Sequence, residues 1–166
     1  MLAAASIAAT SPAIAAAGEV ECKLCIEARE AAKERAPIAI RVESGLNFSR
    51  MALLERGDGE AEIDPVTGTK RTRNNLIDLG GIAFSGRARV VGEPLQPIRV
   101  DLPRSVTLHS PGGAEAELTD FVTDLPDLPM LDASGTLEFT FGGRLRTRNG
   151  GAGNFRGRIP IRVDYN

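Results

Sequence analysis

The feature that most constrains the fold is a period of two in hydrophobicity at the end of the chain. Over residues 155–165, apolar residues and one glycine alternate with arginine, proline and aspartate. Successive side chains of a β-strand point to opposite faces of the sheet, so this pattern gives a strand one apolar and one polar face. Because the apolar face needs a sheet to cover it, the sequence predicts a β-protein whose core closes on this segment.

The same period of two recurs from Pro37 onward. Alternating runs such as residues 38–42 and 84–91 are separated by turn sequences rich in Gly, Pro and Asp. Roughly nine short strands, with no helix-length periodic segment between them, favour antiparallel over parallel pairing. For residues 37–166 we therefore predict an all-β domain, an antiparallel β-sandwich of the immunoglobulin-like kind.

The first seventeen residues form a separate segment. They carry no charged side chain, consist mostly of Ala, and end in small-x-small sequences that suit cleavage near Ala17. We predict that residues 1–17 are a secretory signal peptide; an Ala-rich surface helix is the alternative. The segment is too short and too weakly apolar to span a membrane, so a membrane is involved only through export. Export places the mature chain in the periplasm, at the cell surface or outside the cell.

Residues 18–36 are predicted to form a short helical leader, because they are rich in helix-forming residues and end before Pro37. They contain the only two cysteines of the chain, Cys22 and Cys25. The βαβ context of thiol redox motifs is absent, zinc needs four ligands, and c-type haem attachment needs a histidine where Ile26 stands. An oxidising compartment favours a disulfide, within one chain or between chains, and an unpaired structural role is the alternative.

No pattern of catalytic or metal-binding residues is evident. The single histidine, His109, has no nucleophile motif near it. Four aspartates fall in or beside one loop without the ordered spacing of a calcium site: Asp120, Asp124, Asp127 and Asp132. The formal net charge of −2 and the lack of aromatic residues between the basic ones argue against nucleic acid. We expect a non-enzymatic protein without metal or cofactor.

Arginines are concentrated on the last two predicted strands and their connection. If these strands pair as a hairpin, most of the arginines share its outer face. Such a face either binds an anionic glycan or lipid or protects an exposed sheet from edge pairing. The candidate anion-binding residues are Arg144, Arg146, Arg156, Arg158 and Arg162.

Several short motifs, taken in order, resemble domain-of-unknown-function family 4402. They include Leu46-Asn-Phe-Ser49, Ile63-Asp-Pro-Val-Thr-Gly68, Val91-Gly-Glu-Pro94 and the closing Val163-Asp-Tyr-Asn166. The resemblance covers about residues 37–166 and implies an exported bacterial β-sandwich similar to pilins and spore-coat proteins. The arginine-rich strands, where the family usually has Thr and Val, and the cysteine-bearing leader depart from the family pattern.

The C-terminus also resembles that of pilins assembled by a periplasmic chaperone and an outer-membrane usher. The tyrosine is penultimate, and a glycine precedes the end by about thirteen residues. This resemblance implies strand addition, in which an extended segment fills a groove beside the last strand. The partners would be other copies, other subunits or a chaperone. The implied assembly residues are Gly153, Phe155, Ile159, Ile161, Val163 and Tyr165.

The last strand of a complete sandwich would show the same alternation, which leaves strand addition open. If strands are exchanged, residues 37–42 are the expected donor, because they are the nearest alternating segment to the N-terminus. Pro160 has no N–H group, so we expect the final strand at a sheet edge.

Together these patterns predict an exported, non-enzymatic structural or cell-surface protein, either a fimbrial or pilin-like subunit or an extracellular matrix component. The alternative is a monomeric periplasmic or secreted binding module that uses the arginine face for an anionic glycan or lipid.

Overall fold

The computed structural model describes residues 35–54, 57–147, 155 and 157–166. In this part of the chain the regular structure consists of strands that pair antiparallel, which confirms the all-β antiparallel class. The strands are β1 (Ala39–Ser44), β2 (Met51–Leu53), β3 (Gly59–Ile63), β4 (Lys70–Asn74), β5 (Leu76–Asp78), β6 (Gly86–Val91), β7 (Ile98–Asp101), β8 (Ser105–His109), β9 (Glu115–Thr123), β10 (Thr136–Thr147) and β11 (Arg162–Tyr165).

The helical leader predicted for residues 18–36 lies outside the described residues, except for Arg35 and Ala36. In the part that the structure describes, no helix has the length and apolar character that a membrane crossing requires.

The long strand β10 organises a seven-stranded sheet. Its first half, residues 136–141, pairs with β6, and its second half, residues 143–147, pairs with β3. Because β9 pairs with β10 over residues 141–147 at the same time, β6 and β3 lie end to end along one edge and β9 occupies the other. Strands β1, β4 and β8 then extend the sheet beyond β6, β3 and β9 respectively.

Two smaller pairs of strands complete the described architecture: β7 with β11, and β2 with β5. The predicted alternation of the last segment is present, since residues 158–166 alternate between exposed and half-buried. The hydrogen-bonded strand is shorter than predicted and begins only at Arg162, after Pro160, whose missing N–H group cannot join a ladder. β11 lies at the edge of its two-stranded sheet.

The core consists of two adjoining hydrophobic clusters. One includes Leu118 and Leu145 of the large sheet, and the other includes Phe139 of β10 and Ile98 of β7. Leu46 is among the half-buried residues that pack against both clusters. The strand β6 shows how the sequence produces this core, because its residues alternate strictly between buried and exposed, as a period of two requires.

The N-terminal strand belongs to its own sheet. Residues 39–44 pair with β6, and Ile38 and Ile40 pack against the second cluster. This pairing within one chain argues against the hypothesis that residues 37–42 act as an exchanged donor strand, because Ile38 and Ile40 already pack against the core of their own domain.

Candidate functional site

An apolar groove of about 770 Å³ opens between two parts of the chain that are distant in sequence. One wall is the end of β1 with the loop that follows it, and the other is Phe155 with residues 157–159. Leu108, Leu118 and Phe141, from three adjacent strands of the large sheet, are buried beneath it. The residues that line it are Val42, Ser44, Gly45, Leu46, Asn47, Phe48, Phe84, Leu108, Leu118, Phe141, Phe155, Gly157, Arg158 and Ile159.

The groove exists because apolar side chains here lack a cover. Along β1, Ile38 and Ile40 pack against the core, whereas Val42, next in the same alternation, is 47% exposed at the groove. Phe84 is 40% exposed there. Since the residues beneath are almost fully buried (1% exposed for Leu118), the groove is a gap in the layer above the core.

The backbone at the walls has unused pairing capacity within the described part of the chain. β1 pairs with β6 along one edge only. Residues 157–161 form no strand, and none of their backbone hydrogen bonds is to another described segment. An extended peptide laid beside either wall can therefore pair with backbone N–H and C=O groups, as in the addition of a strand to a sheet edge.

The first wall is anchored to the loop before β6. Asn47 and Phe84 exchange two backbone hydrogen bonds, of 3.1 and 3.0 Å. Ser49 has a φ of 61° and its hydroxyl donates to the Gly80 carbonyl at 2.8 Å. The Ser49 N–H donates to the Asn47 side chain at 2.8 Å, which satisfies the backbone in this strained turn. These bonds fix the position of Leu46 and Phe48 beside the groove.

Lys70 anchors the same wall from below, and sequence reasoning did not single it out. Its side chain is only 4% exposed, and its ammonium group donates to the Phe48 carbonyl at 3.1 Å and to Asp78 Oδ1 at 2.5 Å. The hydrogen bond from Lys70, with a second from the Gly80 N–H, lowers the pKa of Asp78. The one sequence feature that distinguishes this residue is that Lys70 is the single lysine in residues 35–166.

Tyr165 ties the end of the chain to the start of the domain. Its hydroxyl donates to the Ala36 carbonyl at 2.7 Å and accepts from the Glu93 N–H at 2.7 Å. The Arg35 guanidinium lies 5.7 Å from the centre of the ring. Tyr165 thus positions the beginning of β1 relative to the final strand.

The predicted assembly residues divide between two places. Phe155 and Ile159 line the groove, whereas Ile161, Val163 and Tyr165 pack against the second core cluster. Gly153 lies outside the described residues. No pattern in the sequence predicts that Val42 and Phe84 face the same gap, because their proximity depends on the pairing of distant strands.

The predicted arginine face is not gathered on one hairpin. β10 and β11 belong to different sheets. On β10, Arg144 forms ion pairs with Glu62 at 3.5 Å and Asp120 at 3.0 Å, and Arg146 pairs with Glu60 at 3.1 Å. Exposed arginines also stand at the groove and on β11, namely Arg158 and Arg162, and Arg156 lies outside the described residues.

Of the other residues that the sequence singled out, His109 and Asp132 have local structural roles. His109 faces Glu115 across β8 and β9, with Nδ1 3.4 Å from a carboxylate oxygen. Asp132 accepts hydrogen bonds from the Ser134 hydroxyl and N–H and the Thr136 N–H, which lower its pKa. The described residues contain no group of three His, Cys, Asp or Glu that could hold a metal ion. Both cysteines lie outside the described residues.

No curated protein and no solved structure gives a significant match to the chain. The family model described as a domain of unknown function (DUF4402) matches residues 38–165. This match confirms the resemblance carried by the order of the short motifs, and the chain belongs to the DUF4402 family.

Proposed function

We propose that this protein is an exported, non-enzymatic structural subunit of the fimbrial or extracellular-matrix type, located in the periplasm, at the cell surface or outside the cell. In this proposal the seven-stranded sheet and the two smaller pairs form an immunoglobulin-like, pilin-like sandwich. One strand position of the sandwich is open, and another polypeptide segment fills it during assembly.

The groove is the observation that carries the proposal. A complete sandwich covers the inward face of each strand, whereas Val42 and Phe84 are each close to half exposed above a buried floor. Full burial of a large apolar side chain is worth about 1.5–3 kcal/mol, so covering the rest of each of these two contributes roughly 1 kcal/mol. Backbone pairing along a wall adds to this, which is the energetic basis of strand addition.

The alternative function, an anion-binding module, has less support. Arg144 and Arg146 already share the carboxylates of β3 and the Asp120 side chain. An anionic glycan or lipid would have to displace these carboxylates before it reached the guanidinium groups.

The test uses a variant that fills the groove. Gly45 lines the groove, and a Cβ there meets no heavy atom within 4 Å, so Gly45→Phe is the variant chosen to place a ring at the groove. The matched control is Gly112→Phe, at an exposed turn glycine outside the groove lining, where the nearest heavy atom to a Cβ is 3.8 Å away. Each protein is purified from the exported fraction of its host, and its association is followed by sedimentation velocity over a range of concentrations.

We expect the unmodified protein and Gly112→Phe to associate as concentration rises, and Gly45→Phe to associate at least about tenfold more weakly. N-terminal sequencing should find a mature chain that begins near Gly18. A monomer at every concentration, or equal association of the two phenylalanine variants, contradicts the assembly role. Intact Met1 on cytoplasmic protein contradicts export.

A further inference from the structure

We infer that the groove of one copy receives an apolar knob from the opposite end of a second copy of this chain. The inference rests on the proposed function and names the partner of the groove. The knob consists of three large apolar side chains on two neighbouring loops, Leu95, Leu128 and Met130, which are 62%, 77% and 51% exposed. A cluster of exposed apolar side chains, unlike scattered ones, marks an interaction surface.

The backbone holds the knob in a fixed arrangement. Residues 95–98 and 129–132 run antiparallel and are joined by three backbone hydrogen bonds of 2.9, 3.0 and 3.2 Å. Alternation along the second loop places Leu128 and Met130 on its exposed side, while the residues that follow each of them are buried. Because the loops are already ordered, little conformational entropy is lost when a partner covers the knob.

Leu95 has a backbone conformation that leucine seldom adopts. Its φ of 58° lies in the left-handed region, which glycine and asparagine enter at a lower cost. Since its side chain is mostly exposed, burial within its own domain does not explain a leucine at this position. A strained residue that the surrounding structure holds in place is an indication of function. Its apolar side chain gains free energy of burial only when a partner covers it.

The knob and the groove match in polarity and charge. The groove has an apolar floor, with Val42 and Phe84 partly exposed beside it, and Arg158 lines it. In the knob, the exposed Asp127 directly precedes Leu128. When Leu128 enters the groove of a second copy, the Asp127 carboxylate can approach the Arg158 guanidinium. Such a pair at the rim of an interface fixes the orientation of the two partners.

A chain cannot place the knob in its own groove, because β6 separates the two. Phe84 stands two residues before β6 and lines the groove, whereas Leu95 stands four residues after the end of β6. The strand alone is roughly 17 Å long, at about 3.4 Å per residue. Two different surfaces therefore meet between copies, and the contact is heterologous. Contacts of this kind build open chains of subunits unless the rotation between neighbours closes a ring.

The first experiment removes an apolar side chain from the knob. Leu128→Ser is compared with Val66→Ser, a similar change at a residue that is 76% exposed and belongs to neither the knob nor the groove lining. In sedimentation velocity, Leu128→Ser should weaken self-association at least about tenfold, as expected when an interface loses a large apolar anchor. Val66→Ser should leave it within about threefold of the unmodified chain. Equal effects of the two variants overturn the inference.

Leu95→Asn separates association from folding. It should weaken association without lowering the melting temperature, because asparagine adopts the left-handed conformation more readily than leucine. Unchanged association overturns the inference. Charge reversal tests the rim: Asp127→Arg and Arg158→Asp should each weaken association about fivefold, and the double variant should restore it to within about twofold. A double variant at least as weak as either single variant overturns this pairing.

Mixing two variants shows that the knob enters a second copy. Leu128→Ser keeps an intact groove, and Gly45→Phe keeps an intact knob. At a concentration at which the unmodified chain associates, each variant alone should be monomeric, and an equimolar mixture should form a one-to-one heterodimer and nothing larger. A mixture that stays monomeric overturns the inference. If Gly45→Phe blocks association but Leu128→Ser does not, the knob is not the partner and the proposed function stands. An unmodified chain that never associates overturns both.

Discussion

Replacing Tyr165 with phenylalanine isolates the contribution of one hydroxyl group to the closure of the domain. The hydroxyl donates to the Ala36 carbonyl and accepts from the Glu93 N–H, each at 2.7 Å. Phenylalanine keeps the ring, its packing in the second cluster and the Arg35 guanidinium above it. The variant therefore removes two hydrogen bonds and little else.

The expected loss of stability follows from these two bonds. A hydrogen bond in a folded protein contributes about 0.5–1.5 kcal/mol net. Two such bonds give a loss of about 2 kcal/mol in the free energy of unfolding. For a domain of this size that corresponds to a fall in melting temperature of roughly 6–10 °C.

Urea unfolding followed by far-ultraviolet circular dichroism is the suitable assay. Tyr165 is the only tyrosine and the chain has no tryptophan, so intrinsic fluorescence vanishes with the substitution. The dependence of the unfolding free energy on urea should be unchanged, because the folded core is the same. Tyr165→Leu, which also loses ring packing, should cost more than Tyr165→Phe. A Tyr165→Phe protein within about 0.5 kcal/mol of the unmodified chain, the range of neutral surface changes, refutes the reasoning.

Three further changes test other parts of the fold. In the unmodified protein, Asp78 has a lowered pKa, so its contribution to stability is present above the ordinary aspartate pKa of about 3.9 and is lost as pH falls through the lower folded value. Lys70→Met should remove most of that acid dependence in urea titrations from pH 6 down to about pH 2, and an unchanged pH profile would disprove the role of the pair. Gly86→Ala should cost about 1–3 kcal/mol by urea unfolding, because a Cβ there overlaps the Phe141 ring; no loss would show that the ring moves freely. Asp132→Ala should lower the melting temperature more than Asp132→Asn, because only the amide can still accept hydrogen bonds from the turn; equal melting temperatures would contradict this.

The local pattern of hydrophobicity predicts the strands well and their partners poorly. The alternation along β6 and along residues 158–166 appears in the structure as alternating burial. The period of two also assigns Val42 to the inward face of β1. It says nothing about whether that face is covered, because the cover depends on residues more than a hundred positions away. The alternation along β1 therefore does not by itself predict the groove.

The failure of the arginine hairpin has a physical reason in β10. Sequential strands often pair, and a Gly-rich connection favours a hairpin. In this fold both edges of β10 are occupied over residues 144–147, the end from which a hairpin would start, by β3 on one side and β9 on the other. β11 pairs with β7 instead. The length of β10 decides this outcome, since it is long enough to hold two partners along one edge.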